Sequence, residues 1–131
     1  MLSDEVRARV AYHVESCTQQ FRTAKNSGYN LHAFALPTFD SQEDFDICRP
    51  EDKGKDFREH NEFTAEVLKG LIQNGVPTEP VVLHGAAFIE WLDGRSISQD
   101  SRAGYAAYLL SDPGKKKRAN NEPRWTGDKA N

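Results

Sequence analysis

Three groups of side chains in this 131-residue sequence could take part in chemistry. They are the histidines, a dense group of carboxylates, and a run of serine, glutamine and arginine. No two of the four histidines have the H-x-x-x-H spacing of a helical metal site. If the protein were an enzyme, we would draw its acid and base groups from His32, His60, Glu62 and His84. No nucleophile elbow, phosphate-binding loop or zinc signature accompanies them. We therefore predict no catalytic residue, no metal site and no cofactor.

Carboxylates are concentrated between residues 40 and 52: Asp40, Glu43, Asp44, Asp46, Glu51 and Asp52. Calcium and magnesium require oxygen ligands, but the central glycine of an EF-hand loop is missing and Phe45 interrupts the run. A solvated acidic loop is one alternative to a metal site. Another is a surface that imitates phosphate and occupies a basic groove on a partner. We predict partner binding for Asp40, Glu43, Asp44 and Asp46.

A second candidate surface could contact nucleic acid, and its residues are Arg95, Ser98, Gln99, Arg102, Lys115, Lys116, Lys117 and Arg118. Serine, glutamine and arginine can reach base edges and phosphates. However, the turn from Asp93 to Ser98 is longer than a usual helix-turn-helix connection, and Asp100 lies where phosphates would approach. Nucleic-acid binding is therefore the alternative function, and Ser98 could simply cap a helix.

Aromatic side chains form a third candidate surface. Trp91, Tyr105 and Tyr108 are expected to be shared between the core and its rim, and such residues are favoured at protein interfaces. We add Tyr105 and Tyr108 to the predicted partner-binding residues. The leading hypothesis is a small non-catalytic binding protein, an inhibitor or accessory factor, that acts through a protein partner. A small enzyme with histidine and glutamate acid–base chemistry is the third.

Length and composition predict one domain that buries roughly two-thirds of its unfolded surface. No window approaches the ~18 apolar residues of a membrane span. The N-terminus is acidic where a signal peptide would be basic, so we expect a cytoplasmic protein with no membrane association. Cys17 and Cys48 form no C-x-x-C pair, and in a reducing compartment we expect free thiols.

The net charge of −3 conceals an asymmetry. From Pro113 onward the charged residues are mostly basic: Lys115, Lys116, Lys117, Arg118, Glu122, Arg124, Asp128 and Lys129. This segment also lacks hydrophobic periodicity. We predict a single compact domain over residues 1–112, acidic in balance, and a flexible basic tail over 113–131.

Two amphipathic helices stand out. The first begins after Ser3 and carries the apolar stripe Val6, Val10, Val14, Cys17 and Phe21. The second runs from about Asp56 to Asn74 with the stripe Phe63, Val67, Leu68, Leu71 and Ile72. Gly28 follows the first helix, and Gly75 with Pro77 follows the second, as helix ends favour.

The remaining elements complete an α+β prediction. Residues 29–36 are expected to form a strand covered on both faces, and residues 45–48 a short partner strand. Because two strands alone are marginal in water, they must pack against helices or pair with a second copy, which hints at a homodimer. Residues 79–92 are apolar on nearly every side and predict a buried helix. The fold class is therefore α+β and mostly helical: about four helices around a buried central helix, with a short strand or β-hairpin on one flank.

Overall fold

The computed structural model describes residues 3–28 and 33–111. Within these ranges the elements, in chain order, are α1 (Asp4–Asn26), β1 (Phe34–Thr38), α2 (Gln42–Cys48), a 3₁₀ helix (Pro50–Asp52), α3 (Phe57–Gln73), β2 (Thr78–Val82), α4 (Gly85–Leu92) and α5 (Gln99–Leu110). The predicted class is confirmed, since the fold is mostly helical with a small sheet.

The two strands form a parallel sheet that separates two apolar clusters. Phe34 pairs with Thr78 and Thr38 pairs with Val82 at the two ends of the register. Along β1, Phe34 and Leu36 contact the cluster built from α1 and α3, while Ala35 contacts the cluster built from α2, α4 and α5. The prediction that this strand is covered on both faces is thus confirmed. Residues 29–32, where the strand was also expected, lie outside the described residues.

The two amphipathic helices have the ends that the sequence predicts. The Ser3 side chain accepts a hydrogen bond from the amide of Val6, and the Asp56 side chain accepts one from the amide of Arg58. Capping of this kind satisfies amide groups that have no partner within the helix. Beyond the helices, Gly28 and Gly75 have φ values of 90° and 79°, a conformation that glycine adopts without a steric penalty.

The prediction of one buried helix over residues 79–92 is wrong in its first half. Residues Thr78–Val82 form β2, and only Gly85–Leu92 is helical. The error arose because a strand buried on its inner side and a buried helix both appear as a continuous apolar run. Two β-branched valines favour the strand, and Pro80 does not prevent it. In a two-stranded sheet each strand is an edge, where proline is tolerated.

The predicted partner strand at residues 45–48 is also wrong, and the 40–52 segment is not an open loop. Residues Gln42–Cys48 form α2, and the Ser41 side chain caps it by accepting from the amide of Asp44. Ser41 followed three residues later by Asp44 is a helix-start signal that the alternation of Phe45 and Ile47 obscured. β1 pairs with β2 of the same chain, so the unpaired strand that hinted at a homodimer is accounted for.

The last described helix starts as predicted, because Ser98 caps α5 in a reciprocal capping box with Ser101. Cys17 and Cys48 are free thiols. Burial raises the pKa of the Cys48 thiol to about 12, so it remains protonated at neutral pH. No helix in the described parts of the chain is long and apolar enough to cross a bilayer. The predicted tail, residues 113–131, lies outside the described residues.

Candidate functional site

Parallel pairing brings Asp40 and His84 to one edge of the sheet. Thr38 and Val82 are paired residues at the carboxyl ends of β1 and β2, and the amide of Leu83 extends the pairing by donating to the carbonyl of Thr38 at 2.9 Å. Asp40 and His84 each follow two residues beyond this last pair. The carboxyl edge of parallel strands is where open α/β sheets bind ligands. The fold therefore places the carboxylate of Asp40 and the imidazole of His84 at the edge of the sheet where ligands commonly bind.

Asp44, in the first turn of α2, completes a cluster with these two residues. One oxygen of each carboxylate and one ring nitrogen of His84 all lie within 4.8 Å of one another. Asp44 Oδ2 is 3.5 Å from His84 Nδ1 and accepts a hydrogen bond from the Ser41 hydroxyl at 2.9 Å. Asp44 Oδ1 accepts from the amide of Gly85 at 2.8 Å. Asp44 thereby links the start of α2 to the start of α4.

His84 lies in the segment predicted to form a buried helix, but it is partly exposed. It occupies the N-cap position of α4, makes no side-chain capping bond there, and its side chain is 38% exposed. Since Asp44 satisfies the Gly85 amide, the imidazole is not needed to cap the helix. His84 is thus available to interact with something other than the helix terminus.

The remaining acidic residues of the 40–52 segment mostly have structural contacts. Asp46 accepts from the Gln42 side chain and from the amide of Gly54, and these bonds lower its pKa. Asp52 pairs with Arg49 at 2.7 Å and with Lys55 at 3.3 Å. In contrast, Asp40 and Glu43 are exposed. Of the four predicted partner-binding carboxylates, Asp40 and Glu43 are therefore the ones most open to a partner.

Arg102 has a structural environment rather than a surface one. Its side chain is only 4% exposed, and its guanidinium donates to the carboxylate of Glu51 and, at 2.9 Å, to the carbonyl of Cys48. Burial alone would raise the pKa of Glu51, but hydrogen bonds from its own backbone amide and from Arg102 bring it below its ordinary value. The arginine proposed for phosphate or base contacts instead ties α5 to the end of α2.

The structure describes three of the other nucleic-acid candidates, Arg95, Ser98 and Gln99. Arg95 donates to the carbonyls of Trp91 and Leu92, both at 2.8 Å, and its guanidinium lies 4.4 Å from the Trp91 ring centroid. Ser98 is engaged as the cap of α5, and Gln99 is exposed at its first position. The basic residues Lys115, Lys116, Lys117 and Arg118 lie outside the described residues.

Of the histidine–glutamate group proposed for catalysis, His60 packs against core aromatic residues. The His60 ring packs against Phe39 and Phe45, with centroids 5.3 and 5.6 Å away. Burial lowers the pKa of His60 to about 4, with a smaller contribution from the charge of Arg49. Glu62, two residues after His60 on α3, is exposed, and His32 lies outside the described residues. His60 thus fills the core as a neutral ring.

Aromatic residues on α4 and α5 form a stack with one buried end. Trp91 lies 5.1 Å from Tyr105 and 6.1 Å from Tyr108, measured between ring centroids. Tyr105 is 6% exposed and contacts Phe88 as well, so it belongs to the core rather than to the rim. Tyr108 and Trp91 are half-buried. Of the two tyrosines predicted to bind a partner, Tyr108 retains surface for it.

Two exposed isoleucines on the α2–α4 face were not identified from the sequence. Ile47 is 37% exposed and Ile89 is 45% exposed. The Ile47 side chain lies directly over Gly85, where an added Cβ would be 2.9 Å away, and Ile89 lies one turn further along the same helix. Ile47 was assigned to a strand and Ile89 to a fully buried helix. The fall in hydrophobicity at Glu90 and Asp93 could have indicated exposure.

We found no match to any protein-family model, curated protein or solved structure.

Proposed function

We propose that this protein is a non-catalytic binding protein whose partner is another protein, and that the α2–α4 face is the contact surface. The observation that carries the proposal is the pair of exposed isoleucines, Ile47 and Ile89, on adjacent helices. Exposed apolar side chains bordered by polar ones are typical of protein–protein contact sites. Glu43, one of the two exposed carboxylates of the predicted acidic set, lies one helical turn before Ile47 on α2.

Charge on the same helices defines the chemistry of the partner. Together α2 and α4 carry four carboxylates, Glu43, Asp44, Asp46 and Glu90, and no lysine or arginine. Glu43 and Ile47 are four residues apart on α2 and therefore lie on one face of that helix. The partner segment that complements this face presents apolar side chains flanked by lysine or arginine. The acidic residues favour encounter with that segment, and the isoleucines retain it once bound.

The test is an interaction assay that compares three proteins, each as the full chain: the wild type, Ile89→Glu and Ile72→Glu. Ile72, on α3, is 59% exposed and provides an isoleucine of equal chemistry on another helix. A photo-crosslinker at position 89 identifies the partner and the segment it presents. We expect Ile89→Glu to weaken binding of the purified partner by about 30-fold, the effect of losing one interface hot spot. Ile72→Glu leaves the affinity unchanged.

Salt and Glu43→Gln test the charge component of the same proposal. The association rate is expected to fall with rising salt and with loss of the Glu43 charge, because rim charges act mainly on encounter. A partner that binds wild type and Ile89→Glu equally would overturn the assignment of this face. A crosslinked segment that is acidic or lacks apolar residues would overturn the assigned partner chemistry.

A further inference from the structure

We propose that Asp40, Asp44 and His84 bind one divalent transition-metal cation, such as Zn²⁺, at the carboxyl edge of the β1–β2 sheet. The key distance is the 3.5 Å between Asp44 Oδ2 and His84 Nδ1. This exceeds the ordinary length of an N–H···O hydrogen bond. Two ligands of one tetrahedral ion, each at about 2.0–2.2 Å, are separated by roughly 3.3–3.6 Å. The pair therefore has metal-ligand spacing.

The third ligand lies within reach. All three donor atoms are within 4.8 Å of one another, and Asp40 is exposed, so its side chain can adjust toward the ion by a rotamer change. Asp44 retains coordination capacity although it is hydrogen-bonded. Each carboxylate oxygen has two lone pairs, and the Ser41 hydroxyl and the Gly85 amide use one on each oxygen. One lone pair therefore remains on Oδ2, the oxygen 3.5 Å from His84 Nδ1, and it can bind the cation.

The surrounding structure fixes the backbone next to Asp40 and the side chain of Asp44. Each one adjoins a core residue in the sequence, since Phe39, Phe45 and Leu83 are 2%, 2% and 0% exposed. Asn61 on α3 fixes the backbone beside Asp40 by accepting from the Phe39 amide at 3.1 Å and donating to the Phe39 carbonyl. Hydrogen bonds from Ser41 and Gly85 orient Asp44. Metal sites depend on outer contacts of this kind.

The donor set selects the class of cation. One imidazole nitrogen with two carboxylate oxygens suits zinc and neighbouring first-row metals, whereas calcium and magnesium prefer oxygen ligands alone. The His84 side chain is 38% exposed and that of Asp44 is 19% exposed, so water can complete the coordination shell. A bound ion would join the segment after β1 to the segment after β2 and offset the two carboxylates.

Zn²⁺ titration of the full chain tests this site without any partner. Isothermal calorimetry gives the stoichiometry and affinity, and NMR of the imidazole groups shows which histidine is the ligand. We expect one site per chain, with the His84 resonances shifted. His84→Gln and Asp40→Asn are each expected to weaken the affinity by at least about 10-fold, as loss of even an outer contact does. Neither side chain caps α4, so both variants are expected to fold.

The matched controls are His13→Gln, a histidine on α1, and Glu43→Gln, an exposed carboxylate beside the cluster. Both are expected to bind Zn²⁺ like the wild type. Zn²⁺ binding of equal strength in wild type and His84→Gln, or no saturation below about 1 mM, would overturn the proposal. The partner-binding proposal is tested separately by Ile89→Glu, which leaves all three ligands in place.

Discussion

His60 shows how one residue links the core to pH. Its ring packs against both Phe39 and Phe45, and burial lowers its pKa to about 4 from an ordinary 6.5. The folded state therefore favours the neutral ring, while the unfolded chain accepts a proton readily below pH 6.5. The stability contributed by the neutral ring is complete above pH 6.5 and is lost as the pH falls toward 4.

We expect the free energy of unfolding to fall by about 1–2 kcal/mol between pH 7 and pH 5, measured by urea denaturation. The range from pH 7 to pH 5 reports mainly on His60. Asp46, Glu51 and Asp52 have lowered pKa values, so their contributions to the free energy of unfolding are lost only at more acidic pH. His60→Gln lowers stability at both pH values but flattens the slope. His13→Gln keeps the slope, and a slope unchanged in His60→Gln would contradict this assignment.

Arg102 and His84 illustrate what sequence could not reveal about individual residues. Beside serine and glutamine, Arg102 suggested a nucleic-acid contact, yet Glu51 and the Cys48 carbonyl, both about fifty residues earlier, hold its guanidinium. His84 fell within the segment predicted to be a buried helix, yet its partly exposed ring lies beside Asp44, forty residues earlier. Both errors have one physical cause. The surroundings of a side chain depend on long-range packing, which residue type and local spacing do not encode.

At the scale of elements, the packing of α1 against α3 depends on Gly70. A Cβ at this position would lie 2.5 Å from Cγ2 of Val14 and 3.2 Å from its Cγ1. Glycine costs about 1 kcal/mol in a helix relative to alanine. It is tolerated here because α1 approaches the α3 backbone closely through the Val14 side chain.

Gly70→Ala is therefore expected to destabilise the protein by about 1–2 kcal/mol, since overpacking outweighs the gain in helix propensity. Gly104→Ala on α5 is the matched control. Its Cβ would lie 3.6 Å from Trp91, an ordinary contact, so a stabilisation of about 0.5–1 kcal/mol is expected. Chemical denaturation of both variants, and of Gly70→Ala combined with Val14→Ala, measures the effect. Equal stabilisation by both alanines would show that the close approach is absent.

Element prediction succeeded where one hydrophobic period extended over several turns, as in α1 and α3. It failed where the apolar stretch was short. Val81, Val82 and Leu83 carry no period that separates a strand from a helix, and parallel pairing with β1 is a contact between residues more than forty positions apart. The α2 helix of seven residues was missed because fewer than two full turns show little periodicity. The candidate site lies at these two misassigned segments, so its assembly could not be foreseen.

At the scale of the whole molecule, charge is divided between the body and the tail. Residues 1–112 contain 18 acidic and 11 basic side chains, a net charge of −7, while residues 113–131 contain two acidic and six basic ones, a net charge of +4. Of the arginines predicted to contact nucleic acid, Arg102 is buried and Arg95 is held at the end of α4. Among the predicted nucleic-acid residues, we therefore expect the attraction to come mainly from Lys115, Lys116, Lys117 and Arg118.

This division of charge predicts how the full chain behaves with a mixed DNA and RNA pool. At about 0.15 M salt we expect light scattering to show no co-migration, because the acidic body repels phosphates and only a few lysines oppose it. Weak binding at low salt is expected to disappear when Lys115, Lys116 and Lys117 are replaced by glutamine, and to be unchanged in Arg95→Ala. Binding that persists at 0.15 M and is weakened by Arg95→Ala would instead favour the alternative function, with the start of α5 facing the nucleic acid. The tail substitutions keep chain length and folded core constant, so the outcome isolates charge.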